Sequence, residues 1–333
     1  MKRIISVLLI AVLLVGVLAA CSGDTDKAEV RTIRVANQQA EDHPQTLALY
    51  KFKELVEAGS DGALKVEVYP NMQLGSPEAY NDSLLQGAIE MALPGTVMAQ
   101  SFPRAATPEF PYLFRDWDHA RKVLTGPEGD AIHEGMSEDV GVRSLGMMPL
   151  AFRVITSNRE LSTVEDLEGL RLRVPNIPLY LDFARSLNAN VISMSLSELF
   201  TALEQNVVDA QENPYSTITT SRFYEVQDYI LETRHVFTAH GLYINENFFQ
   251  SLTEEQRKLI EDAADEAIEY NFDVAIDAEV EAIEYLKEQG VKITVPDETF
   301  MNTLREQYKP YEEAFYEAHP GSKELIEAIR AVQ

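Results

Sequence analysis

The chain has 333 residues, 45% of them hydrophobic, with 28 Lys and Arg against 54 Asp and Glu, a formal net charge of −26. So acidic a surface excludes nucleic acid as a partner, because phosphate binding needs Lys and Arg, and it disfavours an anionic membrane face. The length fits two domains of ~100–200 residues each, and the apolar share excludes global disorder.

Met1-Lys2-Arg3 is a charged start, and Ile4 to Leu18 is an apolar run broken by one Ser and one Gly. The run is short of the roughly 20 apolar residues a spanning helix needs, and it ends on small residues. Residues 1–20 therefore read as an export signal. Leu18-Ala19-Ala20-Cys21 resembles the lipobox of bacterial lipoproteins, in which the chain is cut before a cysteine that is then lipidated; a plain signal peptide containing a cysteine is the alternative. Cys21 is the one cysteine of the chain. Once it is assigned to lipid, no disulfide, thiol nucleophile or thiolate metal site remains. Residues 21–30, small, polar and charged, read as a lipidated tether.

Folded structure is expected from near Thr32. Residues 32–36 read as a strand, and Ala48, Phe52, Leu55 and Val56 mark a helix that stops at Gly59 and Gly62. Val66 and Val68 alternate in a second strand. Ser76-Pro77 opens a helix closing near Gly87, and Ile89, Met91 and Leu93 alternate again. The second part repeats the theme. Phe152 to Thr156 is a strand, Ser162 to Glu165 has the form of a capping box, and Leu170 to Val174 is a strand stopped by Pro175. Ser195-Leu196-Ser197-Glu198 is a second capping box before a helix using Leu199, Phe200 and Leu203. Val207 to Ala210 is a short strand ending at Asn213-Pro214. From Thr253 to Gly290 an apolar stripe predicts a helix of ~37 residues, about 55 Å if unbroken, which either bridges two domains or breaks in the middle. No coiled-coil seam favours dimerisation, and a monomer is expected. The order predicts an α/β fold of two units.

Arg173 stands at the carboxyl end of its strand, where open α/β sheets bind ligands, and its fork matches a carboxylate. A carboxylate clamp and a surface ion pair both fit. Arg153 has the same standing. Asn213, held extended by Pro214, offers donor and acceptor or is an ordinary turn residue. The six histidines show no metal-ligand spacing. Gly-x-Ser-x-Gly, His-Glu-x-x-His and Walker motifs are missing, so no enzyme, cofactor or metal is expected.

Several segments together resemble the extracytoplasmic solute-binding subunits of TRAP transporters, the DctP family. They are Arg153 with Thr156-Ser157-Asn158, Gly169 to Pro175, and Val208 to Pro214. The first unit adds His43-Pro44, Val68-Tyr69-Pro70, Gln73-Leu74-Gly75 with Glu78, and Phe110 to Phe114. The resemblance implies a two-domain, periplasmic-binding-protein-like (class II-type) clamp whose long helix spans both domains. Residues 31–150 with about 239–278 would form domain I, and 151–238 with about 279–333 domain II. It implies capture of a small organic anion (dicarboxylate, sugar acid or related organic acid) for an ion-gradient-driven permease in the membrane. It assigns Arg173 to the substrate carboxylate, Arg153 to a supporting role, and Asn213 and Glu78 to the cleft. Gln38 and His43, where the first strand meets its helix, either reach the cleft or serve as polar loop and helix cap. Leu196 stands where sialic-acid-binding relatives have phenylalanine, so that substrate is not carried over. The binding subunit of an ATP-driven importer and a tethered ligand sensor are the rival readings. The lipid favours the outer face of a Gram-positive cytoplasmic membrane, with the periplasm as alternative.

Overall fold

A computed structural model describes residues 30–333; the export signal, Cys21 and all but the last residue of the tether lie outside the described residues. The first half runs β1 (Arg31–Asn37), α1 (Pro44–Gly59), β2 (Leu64–Tyr69), α2 (Pro77–Leu85) and β3 (Met91–Leu93). Two 3₁₀ turns, Gly95–Gln100 and Pro103–Glu109, lead to α3 (Trp117–Leu124), α4 (Pro127–Ile132) and α5 (Met136–Val140). Next come β4 (Val142–Ser157), a turn at Val164–Leu167, β5 (Arg171–Val174), α6 (Pro178–Ser186), β6 (Asn190–Ser193), α7 (Leu196–Glu204), β7 (Ala210–Pro214), α8 (Tyr215–Thr220) and β8 (Tyr229–Leu231). The chain ends with β9 (Phe237–Asn245), α9 (Glu246–Gln250), α10 (Glu254–Glu288), β10 (Lys292–Thr294), α11 (Glu298–Ala318) and α12 (Ser322–Ala331).

Strand order is β2-β1-β3-β9-β4-β7-β5-β6, with β8 and β10 off β4. The first half is a sheet in which β1 runs parallel to β2 and β3. In the second, β5 runs parallel to β6 and β7. The two halves share β4. Its amino-terminal part pairs with β9, and residues Arg153 to Ser157 pair with β7. The β4–β9 register shifts between Ser144 and Met147 and between Pro149 and Ala151. Such bulges bend and twist a strand locally, so the sheet turns where it passes from one half to the other.

Local chemistry explains the elements. Pro44 opens α1, which buries Ala48, Leu49, Phe52 and Val56 on one face against Ile33, Val35 and Val66. Helix α10 is unbroken over 35 residues, about 52 Å long. Thr253 and Gln256 form a reciprocal capping box at its start. Its first part packs on α1 and its later part on α8, so it bridges both halves.

Some expectations shift. The capping residues before β5 are Thr163 and Asp166 rather than Ser162 and Glu165, because the Asp166 carboxylate accepts from the amides of both Ser162 and Thr163. The strand expected at 207–210 lies at Ala210–Pro214, because Asp209 holds the Arg171 side chain and backbone amide at the strand's entrance. Helix α12 packs on α4 and the Pro103–Glu109 turn of the first half, whereas α11 packs on α6 of the second. Residues 279–333 therefore do not all lean on one side.

Candidate functional site

Both halves turn the carboxyl ends of their parallel strands toward one cavity of about 560 Å³. From the first half come Gln38 and Gln39 after β1, Ser76 to Glu78 at the start of α2, and Thr96, Val97 and Gln100 after β3. The second half contributes Arg153, Arg173, Tyr180, Leu196 and Asn213, and β9 adds Thr238 and His240. Of the residues singled out in the sequence, Arg173, Arg153, Asn213, Glu78 and Gln38 thus meet at one place. His43 does not line it. Its ring is buried, and Nδ1 accepts from the Gln45 amide at 3.2 Å as the cap of α1. Burial lowers its pKa to about 3.

The two arginines differ in charge balance. Arg153 lies on β4 opposite Pro214 of β7 and is 5% exposed. Its Nη2 donates to Glu212 Oε1 at 2.9 Å and to Asn213 Oδ1 at 3.0 Å, and its Nε donates to Glu212 Oε2. Burial opposes its charge, but the adjacent Glu212 outweighs burial and holds its pKa above the usual arginine value. Glu212 is fully buried. Burial raises its pKa, and Arg153 with His235 pulls it below the usual carboxylate range. This cation is therefore already neutralised.

Arg173 is 3% exposed. Its Nε and Nη2 donate to the Met194 carbonyl at 3.1 and 2.7 Å, and no carboxylate pairs with it among the described residues. Burial lowers its pKa to about 10, with Arg153 adding to that and Glu212 opposing it. An unpaired buried charge is costly, and here it faces a cavity. The arrangement offers an anion one open positive charge.

Neutral groups complete the lining. The Asn213 amide donates to Gln211 Oε1, Gln211 donates to Thr156 at 3.0 Å, and Thr156 donates to Gln227 at 3.0 Å. That buried chain fixes which face Asn213 presents. Tyr180, on the first turn of α6, sits beneath Arg153 at 5.0 Å.

Family comparison places the chain as a whole. Residues 35–319 match the DctP model, described as "Bacterial extracellular solute-binding protein, family 7". The chain belongs to the DctP family. It is a TRAP-type extracytoplasmic solute-binding subunit and not an enzyme. A Haemophilus influenzae TRAP solute-binding protein solved with bound L-gulonate is 36% identical, with TM-score 0.86, over 90% of this chain and 98% of that one. A Desulfovibrio desulfuricans relative with bound sn-glycerol-3-phosphate is 33% identical, with TM-score 0.87, over 91% and 98%. The sugar acid binding protein of Advenella mimigardefordensis in complex with galactonate is also 33% identical, with TM-score 0.84, over 91% and 98%. Membership confirms the two-domain clamp with its long helix. Among the described residues, no helix is long and apolar enough to cross a membrane.

Sequence reasoning passed over Glu212, Tyr180, Thr238 and His240. Glu212 carried a signal, being the acid beside Asn213 in Asp-Ala-Gln-Glu-Asn-Pro. Thr238 and His240 carried none, because β9 is buried along its whole length and shows no alternation.

Proposed function

We propose that the DctP-family protein captures a small monocarboxylate of the sugar-acid class between its halves and hands it to an ion-gradient-driven TRAP permease. The observation that carries this reading is Arg173, buried, facing the cavity and unpaired, beside an Arg153 that Glu212 already neutralises. One open cation favours one carboxylate; a dicarboxylate would leave its second charge facing Glu78 and neutral amides and hydroxyls. Relatives holding gulonate and galactonate support the same class.

In this reading the ligand carboxylate takes two parallel hydrogen bonds from Arg173. Arg153 and Asn213 support it from the second half, and Glu78 and Gln38 meet hydroxyls from the first. The halves close by rotation at the bulged crossing of β4 and β9. The domain boundaries then fall near residues 150 and 238 and, along α10, near 278. His43 serves the fold as a helix cap. Export by residues 1–20, a lipid on Cys21, a monomeric state and the outer face of a Gram-positive membrane belong to the same proposal.

Arg173→Ala tests it. Removing the guanidinium leaves a buried carboxylate unpaired, a loss of about 3–5 kcal/mol. Calorimetry with D-galactonate and L-gulonate should show binding by the native protein and none measurable by the variant. X-ray scattering should show compaction on ligand addition only in the native protein. Equal affinity in both proteins would sink the assignment.

A further inference from the structure

His240 lies on β9, is 3% exposed, and lines the cavity. We propose that His240 is a specificity-determining residue whose Nε2 lone pair accepts a hydrogen bond from a hydroxyl of the bound acid. The inference rests on the cavity being the solute site.

The tautomer follows from a chain of fixed partners. Gln45 Nε2 donates to the Met148 carbonyl at 2.8 Å, and that carbonyl can only accept. The other end of the amide is then Oε1, also an acceptor, and it lies 3.2 Å from His240 Nδ1. Nδ1 must carry the proton, so Nε2 of the neutral ring presents a lone pair. Nε2 has no hydrogen-bond partner among the described residues. Burial, with Arg153 and His43 nearby, lowers the ring's pKa to about 3, so it stays neutral at ordinary pH.

Its setting suits a hydroxyl. At Gly95, φ is +63°, and an added Cβ would lie 3.1 Å from His240 Nε2 and 3.4 Å from Gln38 Nε2. Bare backbone thus borders a point where an acceptor from one element and an amide donor from another come close. An alcohol can donate to the first and accept from the second. A second carboxylate placed there would face the ring's lone pair with its own, so the same atom that reads a hydroxyl rejects a dicarboxylate.

The test is calorimetry with D-galactonate, L-gulonate and their monodeoxy analogues on the native protein, His240→Leu, His240→Gln and Arg173→Ala. One deoxy position should cost the native protein about tenfold in affinity. His240→Leu should lose about as much with the parent acid and show no further penalty for that deoxy analogue. His240→Gln, which keeps an acceptor, should retain part of the discrimination. Nitrogen NMR shifts of the native ring should show protonated Nδ1 and bare Nε2. The proposal fails if His240→Leu keeps every deoxy penalty, if it weakens all ligands equally, or if the native protein binds neither acid. Arg173→Ala that binds as the native protein does would instead overturn the cavity as the solute site.

Discussion

Glu109 ends the 3₁₀ turn before Phe110 and is 2% exposed, and its Oε2 has no partner. Burial raises its pKa to about 8; Arg153 pulls it down and Glu212 pushes it up. The folded protein therefore holds a proton that the unfolded chain releases near 4.5. Between those values the native Glu109 binds more protons than the unfolded one, so its contribution to stability must fall as pH rises from about 4.5 to about 8, by up to about 1.4 kcal/mol per pH unit. Glu109→Gln keeps the neutral shape and removes the titration. Thermal melts from pH 5 to 8 should show the native protein losing ground to the variant as pH rises; parallel curves would refute it. At the same scale, Arg173 and Asn213 were legible as candidates because each sits near a strand end with a side chain suited to an anion, whereas Arg153 lies inside β4 and reaches the cavity from there. Glu109 was not, because one glutamate among many acids shows no sign of burial.

Helix α10 stands on a single capping box. Thr253 accepts from the Gln256 amide at 3.2 Å, and Gln256 Oε1 accepts from the Thr253 amide at 3.1 Å. Thr253→Ala should cost about 1 kcal/mol, read as a lower denaturation midpoint with unchanged slope; an unchanged midpoint would show that packing alone sets the helix start. The helix itself was plain in the sequence, since its stripe keeps one period over ten turns. Strands β4 and β9 were legible only in part. Of β4 only residues 152–156 were expected as strand; the stretch before them carries Gly146 and Pro149 and lies at the bulged crossing. Residues 237–245 are buried throughout and lack the period-2 signal of a half-exposed strand. The strands that join the two halves were thus harder to see than the helix that bridges them, because β9 and the later part of β4 are covered on both faces.

Taken whole, the molecule is an acidic clamp, and on the proposed reading its place in the cell follows from its first residues. On that reading, loss of Lys2 and Arg3 with the signal leaves 26 basic against 54 acidic residues, a charge of −28. Attraction to anionic lipid cannot hold such a surface at a membrane; on the proposed reading, lipid on Cys21 does. Cys21→Ser should move the protein from the membrane fraction to the medium or periplasm, with solute affinity intact. Retention at the membrane would remove the anchor assignment.

The split between the cavity's two sides has a practical reach. The open charge at Arg173 and its neutralised neighbour belong to the second half, while the first half contributes four short segments, at 38–39, 72, 76–78 and 96–100. On the proposed reading, the anion anchor belongs to the second half, and the hydroxyl contacts come from the first half and from β9. On that reading, grafting those first-half segments from a relative should retune substrate choice while leaving the anion anchor untouched, a route to biosensors for organic acids.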